Sequence, residues 1–256
     1  MSFRGKEMEI LKKLYDKSKI WFAISWIIAY CVLMSVADTL SVLVGIEKSV
    51  TLVLGILLSA VLFLFLRKNG LLAYYGICAP KSSPKAMLYY LPLAVMLSAN
   101  LWYGVSLNYG ILESVLCVLT MLFVGFLEEV IFRGLLFESM REGGEKTAIA
   151  VSSLTFGFGH IINLVNGSGA ELLPNLLQVL YATSAGFMFV MMYRKSKSQL
   201  PGIAAHGVFN ALGVFASEAS LTPSGQIVSA ILLAVITSAY ALYFVLTEKK
   251  ESKDGE

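Results

Sequence analysis

The stretch FLEEVIFRG, residues 126–134, places two adjacent carboxylates and one arginine inside a largely apolar run that extends from Ile111 to Phe137. On insertion scales, each charged group inside a membrane span costs roughly 2.5 to 3.5 kcal/mol. A chain that keeps three such groups within six residues is therefore expected to use Glu128, Glu129 and Arg133 for its function.

Composition indicates an integral membrane protein. Of the 256 residues, 57% are hydrophobic and 14% are charged, whereas soluble domains carry about 25% charged residues. The net charge is +3 and the basic residues form no single cluster, so the lipid bilayer is the expected partner and nucleic acid is not. Cys31, Cys78 and Cys117 are far apart and are predicted to be unpaired.

Eight apolar runs reach or approach the length of about 20 residues that a spanning helix needs. They predict an all-α polytopic membrane bundle of about eight transmembrane helices. The runs are Ile20–Val36, Val50–Leu66, Met87–Val105, Ile111–Phe137, Thr147–Leu164, Leu172–Tyr193, Ile203–Ala216 and Ile227–Leu246. Residues 1–19 then form a cytoplasmic N-terminal segment, 20–246 the membrane domain and 247–256 a cytoplasmic tail. Pro92 lies inside the third run and predicts a kink there.

The lysine and arginine residues predict the orientation. All 20 except Lys48 and Arg133 lie before the first run, between runs two and three, four and five, or six and seven, or after the eighth. The positive-inside rule therefore predicts a multi-pass protein of the cell membrane with both termini in the cytoplasm, which requires an even number of spans.

The spacing of the three charged residues separates two roles. Each residue of an α-helix turns by about 100°, so Glu129 and Arg133, four residues apart, share a face and can pair. Glu128 lies about 140° from Arg133 and is the better candidate for a reactive carboxylate that acts as a general base. The alternative is that all three residues form one buried structural ion network.

Both histidines of the chain lie within or at the edge of apolar runs. His160 ends the sequence FGFGH, residues 156–160, whose two glycines let a neighbouring helix approach closely or loosen the helix before the histidine. His206 begins HGVFN, residues 206–210, and shares a helical face with Asn210. One intramembrane histidine is often a packing residue, but two of them with an asparagine and paired carboxylates favour a functional site.

Together these groups suit the hydrolysis of a peptide bond without a covalent intermediate. A carboxylate and a histidine can hold and deprotonate one water, while a second histidine and an amide donate to the oxyanion of the tetrahedral intermediate. The sequence contains no Gly-x-Ser-x-Gly motif, so a serine nucleophile is not predicted. The candidate catalytic core covers about residues 111–216.

The three motifs resemble those of the CPBP family, also called the Abi family, of intramembrane glutamic endopeptidases. That family includes prenyl-protein (CAAX) proteases and proteins linked to bacteriocin processing or immunity. Its pattern is Glu-Glu-x-x-x-Arg, then Phe-x-x-x-His, then His-x-x-x-Asn or a similar last residue. Here the motifs read EEVIFR at 128–133, FGFGH at 156–160 and HGVFN at 206–210, and the resemblance covers about Gly125 to Gly213.

The resemblance implies a role for each motif residue. These roles are water activation by Glu128 with help from His160, oxyanion stabilisation by His206 and Asn210, and structural support by Glu129 and Arg133. No resident cofactor is expected. A zinc-dependent alternative would use Glu128, His160 and His206 as the three protein ligands of a catalytic site, but the chain has no His-Glu-x-x-His motif and metal-free chemistry is favoured.

Other hypotheses remain open beside an endopeptidase. The polar residues could form the core of a non-catalytic protein, either a bacteriocin self-immunity factor or a scaffold for another membrane protein. They could also form the relay of a proton-coupled transporter, although no internal repeat is visible. For an endopeptidase, the expected partner is a membrane-associated, prenylated or leader-type peptide or protein. The basic cytoplasmic segments favour a substrate that approaches from inside.

Overall fold

The computed structural model describes residues 3–165 and 171–253, and its regular elements are helices. They are α1 Phe3–Lys17, α2 Lys19–Val44, α3 Ser49–Lys68, α4 Leu91–Ser98, α5 Ile111–Arg141, α6 Glu145–Gly159, α7 Leu172–Ser196, α8 Leu200–Gly213 and α9 Pro223–Lys253. Within these described ranges the only β-pairing is a single bridge between Val105 and Ala216. The predicted all-α polytopic fold class is confirmed.

Six helices in the described part of the chain are long and apolar enough to cross a membrane. They are α2, α3, α5, α7, α9 and α6 together with the 3₁₀ turn His160–Leu164 that extends it. The third and seventh predicted runs take a different form. The third is broken into short pieces, and α8 in the seventh has 14 residues, fewer than the about 20 that a regular span needs.

Hydrogen bonds at the two ends of the bundle show that these short segments nevertheless cross it. Where α7 ends, the backbone N–H of Lys81 donates to the carbonyl of Ser196 at 2.8 Å. At the other end, the N–H of Ser106 donates to the carbonyl of Phe215 at 2.9 Å. The chain thus passes between the ends once before Ser106 and once through α8. We call the end at Lys81 and Ser196 the basic end and the other the opposite end.

The third crossing is irregular, and side chains from α9 satisfy its backbone. Residues 88–90 all have positive φ, so the helix breaks at these residues. The sequence predicts a kink at Pro92, and this prediction is wrong in position. Pro92 instead lies in the first turn of α4, where its missing N–H costs no hydrogen bond. The hydroxyl of Tyr240 donates to the carbonyl of Met87 at 2.6 Å. Such non-helical backbone is tolerated in a membrane because protein groups satisfy it.

Helix α5 carries the charged stretch through the centre of the bundle. The segment Val130–Phe137 is a π-helix, and all eight of its residues are buried; π-turns inside α-helices often occur at functional sites. A Cβ atom added to Gly125 would lie 2.5 Å from the backbone nitrogen of Gly207 in α8. Because neither residue has a side chain, α5 and α8 approach closely enough for their polar residues to meet.

The segments outside the membrane domain continue the helical pattern. The N-terminal segment contains α1, and α9 extends past the predicted boundary at residue 247 to Lys253. The residue types of Asn166–Gly169 predict a turn, but this stretch lies outside the described residues. The cysteines at positions 31, 78 and 117 are free, as predicted.

Candidate active site

Glu128 and Glu129 are adjacent in α5 but have different surroundings. The side chain of Glu129 is 2% exposed and that of Glu128 is 12% exposed. Tyr30 of α2 donates its hydroxyl to Oε1 of Glu128 at 2.6 Å. Glu128 is therefore the more accessible carboxylate, in line with its helical phase, but it is held in place and not free.

The imidazole of His206 bridges the two carboxylates. Its Nδ1 lies 2.8 Å from Oε1 of Glu129, and its Nε2 lies 3.4 Å from Oε2 of Glu128. The ring stacks on Phe189, with centroids 5.6 Å apart and an interplanar angle of 16°. A doubly protonated imidazole donates from both nitrogens and in this position would pair with both carboxylates at once.

Arg133 is the most deeply buried residue of this cluster and is fully shielded from solvent. Its Nη1 lies 3.2 Å from Oε1 of Glu129, which is the pair that the four-residue spacing predicts. The guanidinium also lies 4.0 Å from the centroid of the Phe156 ring and 5.4 Å from that of Phe189. One carboxylate and two aromatic faces thus compensate a charge that has been removed from water.

His160 lies where α6 ends and a 3₁₀ turn begins. The side-chain amide of Asn175 in α7 donates to the carbonyl oxygen of His160 at 2.8 Å. The imidazole packs edge-on against Phe156, with centroids 5.5 Å apart. The change of helical pitch and the bond from α7 together fix the backbone from which this histidine projects.

The two glycines before His160 have separate roles. A Cβ atom on Gly157 would clash with Thr183 of α7, so this glycine allows the close approach of α6 and α7. A Cβ atom on Gly159 would meet nothing within 4 Å. Of the two functions that the sequence suggests for the glycine pair, close approach therefore belongs to Gly157 alone.

Two cavities meet at His160. The larger, the carboxylate cavity, has a volume of about 140 Å³ and is lined by Tyr30, Glu128 and His160 among others. Water occupies about 30 Å³ per molecule, so this cavity can hold several waters. The smaller, the histidine cavity, has a volume of about 50 Å³, and His160, His206 and Asn210 contribute to its walls.

The structure brings together all the residues that the motifs single out. Four of them are linked in a chain of contacts through carboxylate oxygens, from Arg133 to Glu129, from Glu129 to His206 and from His206 to Glu128. His160 and Asn210 join them as cavity walls, with His160 shared by both cavities. A substrate group bound at this junction would lie beside both histidines.

Three contributors were missed at the level of sequence. Tyr30 carries a hydroxyl in the middle of an apolar run, away from the membrane interfaces where tyrosine is enriched. This unusual position could have identified Tyr30 as a site residue from the sequence. Asn175 is an amide near the start of the sixth run and gave a weaker one. Phe189 is one of many aromatic residues in the spans, and nothing in the sequence distinguishes it.

The proposed zinc ligands do not form a ligand set. No group of three His, Cys, Asp or Glu residues in the described part of the chain is arranged to hold a metal ion. Both nitrogens of His206 face carboxylates that are its direct neighbours. No step of the chemistry proposed below is therefore assigned to a metal.

Part of the chain matches a known protein family. Residues 110–212 match the family described as "Type II CAAX prenyl endopeptidase Rce1-like". This region contains all three motifs and most of α5 to α8. No curated protein and no solved structure matches the chain. The match supports the family that the motifs resemble.

Proposed function

We propose, from the match of residues 110–212 to the CAAX prenyl endopeptidase family, that this protein is an intramembrane endopeptidase in which Glu128 activates water. The observation that carries the proposal is the position of Glu128 in a cavity that it shares with His160, while His206 contacts the same carboxylate at 3.4 Å. The substrate is a membrane-associated peptide or protein, prenylated or of the leader type.

The first step is proton transfer from water to Glu128. A water in the carboxylate cavity lies between Glu128 and His160, which both line it. As Glu128 accepts the proton, the water oxygen forms a bond to the carbonyl carbon of the substrate. The carbonyl π-bond breaks, and its electron pair moves onto oxygen. Tyr30 keeps Oε1 of Glu128 oriented, and Oε2, which also lies 3.4 Å from Nε2 of His206, is the oxygen that accepts the proton from the water.

The second step is collapse of the tetrahedral intermediate. The histidine cavity, lined by His206 and Asn210, is the place for the oxyanion. The amide of Asn210 can donate to it, and Nε2 of His206, which lies 3.4 Å from Oε2 of Glu128 in the resting site, can donate to it once Glu128 has been neutralised by the proton from water. The carbon–nitrogen bond then breaks, and the proton held by Glu128 passes to the leaving amine. The carboxylate is regenerated, and the step balances without an oxidant or a co-reactant.

The pair formed by Glu129 and Arg133 has a positioning role in this proposal. Glu129 is 2% exposed and its Oε1 contacts both Arg133 and His206. It therefore cannot reach a water in the carboxylate cavity, but it does orient the imidazole. Loss of one partner from a buried ion pair typically costs about 3–5 kcal/mol, so changes here act on folding as well as on activity.

The test compares two Glu→Gln variants that differ only in location. Wild type, Glu128→Gln and Glu142→Gln are expressed in the same cells, and membrane and secreted peptides are compared by mass spectrometry. Glu142 is exposed beyond α5 and serves as the matched control. Removal of a general base lowers rates by about 10²–10⁴-fold. New peptide termini should therefore appear with wild type and Glu142→Gln and fall at least about 100-fold with Glu128→Gln.

Two outcomes would contradict the proposal. If a folded Glu128→Gln protein yields the same termini at wild-type abundance, Glu128 is not the base. If wild type yields no terminus that is absent from cells lacking the protein, a non-catalytic immunity or scaffold role gains support. Thermal unfolding of the purified variants in detergent separates loss of chemistry from loss of fold.

A further inference from the structure

A groove at the basic end of the bundle lies apart from the catalytic candidates. Residues of α6, α7 and α9 line it, and among these described residues none is a catalytic candidate. Its volume of about 600 Å³ is within the range of about 300–1,000 Å³ that small-molecule sites occupy. We call it the lateral groove.

The walls of the lateral groove are mostly apolar. They include Ile149 of α6, Phe187 and Met191 of α7 and Val245 of α9. Leu242 of α9 belongs to the same wall and is 55% exposed. Because all three helices are long and apolar enough to cross a membrane, hydrocarbon rather than water is the expected content of the groove.

The length of the groove corresponds to one leaflet of a bilayer. On α9 its lining residues extend from Ser238 to Glu248, which is about 15 Å at 1.5 Å per residue. The hydrocarbon core of a bilayer is about 30 Å thick. Glu248 ends the apolar span of α9, and Glu145 begins that of α6. The groove therefore extends from the membrane interface to about the middle of the bilayer, as an acyl chain of one leaflet does.

Charged residues line the end of the groove at the interface. Arg194 of α7 is 16% exposed, and its Nη2 lies 2.9 Å from Oε2 of Glu145 while its Nη1 lies 3.0 Å from Oε2 of Glu248. The side chains of Glu145 and Glu248 remain 42% and 30% exposed. Lys146 also lines this end and is exposed. Two cations and two carboxylates thus lie at one end of a mostly apolar groove.

This balance of charges discriminates between lipid headgroups. The phosphate of a phospholipid can accept a hydrogen bond from Lys146. Each carboxylate has about four acceptor sites, so pairing with Arg194 leaves Glu145 and Glu248 able to accept from a primary ammonium. A choline headgroup has no N–H to donate, and a glycerol headgroup brings no positive charge to the carboxylates. A headgroup with both a phosphate and a primary ammonium therefore fits best.

We propose that the lateral groove binds one phospholipid from the leaflet at the basic end. An acyl chain lies along α7 and α9, the phosphate accepts from Lys146, and a primary ammonium in the headgroup donates to Glu145 or Glu248. The groove shares no lining residue with the carboxylate cavity or the histidine cavity. The lipid site therefore does not depend on the proposed protease function.

Native mass spectrometry of the purified full chain tests the headgroup. The protein is delipidated in detergent and mixed in turn with phosphatidylethanolamine, phosphatidylcholine and phosphatidylglycerol that carry the same acyl chains. One molecule of phosphatidylethanolamine should bind at least about tenfold more tightly than either other lipid, because only its ammonium makes charge-assisted hydrogen bonds to the carboxylates. Equal binding of the three lipids, or tighter binding of phosphatidylglycerol, would overturn the proposal.

Two substitutions at adjacent positions of α9 locate the bound lipid. Ser238 lines the groove and Ala239 does not, and both are exposed. Ser238→Trp fills the groove and should weaken binding of phosphatidylethanolamine at least about tenfold, whereas Ala239→Trp should change it less than about twofold. Equal effects would place the lipid elsewhere and overturn the proposal. So would a dimer of the chain that forms without lipid and that Ser238→Trp dissociates, because the occupant would then be a second copy.

A third variant keeps the test valid if Ser238→Trp does not fold. Lys146→Gln changes an exposed side chain at the start of α6, so the fold should be retained, which thermal unfolding verifies. Binding of phosphatidylethanolamine and phosphatidylcholine should both weaken by about tenfold, because both lipids carry the phosphate that Lys146 contacts. Unchanged binding of phosphatidylethanolamine to this variant would contradict the proposed position of the headgroup.

Discussion

At the scale of single residues, Tyr30 is the clearest addition that the structure makes to the motifs. Its hydroxyl lies 2.6 Å from Glu128 and comes from α2, far from the motifs in sequence. Hydrogen bonds to charged groups contribute about 1.5–3 kcal/mol. Such a bond can restrict a carboxylate to one rotamer, which is what a base needs if it is to receive a proton from a fixed water.

Replacement of Tyr30 by Phe tests this role. The variant keeps the ring and loses only the hydroxyl, so the protein should fold, while Glu128 loses its orientation. We expect kcat to fall about tenfold, the equivalent of about 1.4 kcal/mol, with KM changed less than twofold. Turnover of a cleaved reporter peptide measures both, with Tyr89→Phe at an exposed position as the control. An unchanged kcat would show that Tyr30 only packs.

The sequence predicts some contacts of the site and not others, for a physical reason. Glu129 and Arg133 lie on one helix, so helical geometry alone predicts their 3.2 Å pair. The bridge from His206 to both carboxylates joins two helices and depends on how closely they approach. That approach is set by Gly125 against Gly207, a fit between surfaces that no local spacing reveals.

At the scale of helices, small residues set the distances across the site. Gly157 allows α6 to approach α7 closely. Asn175 of α7 then donates a hydrogen bond to the carbonyl oxygen of His160. The position of His160 therefore depends on how tightly these two helices pack. Gly159, two residues later, faces open space and provides a control of the same residue type on the same helix.

The two glycines are expected to respond differently to alanine. Gly157→Ala forces α6 away from Thr183, and overpacking of this kind typically costs about 1–3 kcal/mol; it should lower the unfolding temperature and at least halve activity. Gly159→Ala removes backbone freedom without a clash and should change stability by less than about 1 kcal/mol. Thermal unfolding and peptide turnover measure both effects. Equal responses would show that the contact with Thr183 does not hold the site.

The lengths of the apolar runs predict where the chain crosses the bundle, but they do not predict which crossings are regular helices. The third run predicts a span that kinks at Pro92, whereas the chain breaks at residues 88–90. The reason lies in another helix: the hydroxyl of Tyr240 in α9 satisfies the carbonyl freed at Met87. A break becomes tolerable in lipid once a neighbour supplies the missing partner, and the identity of that neighbour is a property of the tertiary fold.

At the scale of the whole molecule, the two short crossings decide the topology. Counting only the six long helices as spans also puts both termini on one side, so parity does not discriminate. With six spans, however, α5 would run outward and place Arg141 and Lys146 on the same side as Lys48. With eight, both lie with the other basic residues, as the positive-inside rule requires, and the hydrogen bonds at Lys81 and Ser106 support eight.

Two exposed positions separate these topologies. Leu107, after the third crossing, is 77% exposed, and Glu142, after α5, is also exposed. Each variant is made in a protein whose three native cysteines have been changed to Ala. Eight crossings then predict that a membrane-impermeant thiol reagent labels Leu107→Cys in intact cells and Glu142→Cys only in inside-out vesicles. Six crossings predict the reverse for both. Because the two positions exchange sides together, a loss of membrane integrity, which exposes both at once, cannot imitate either result.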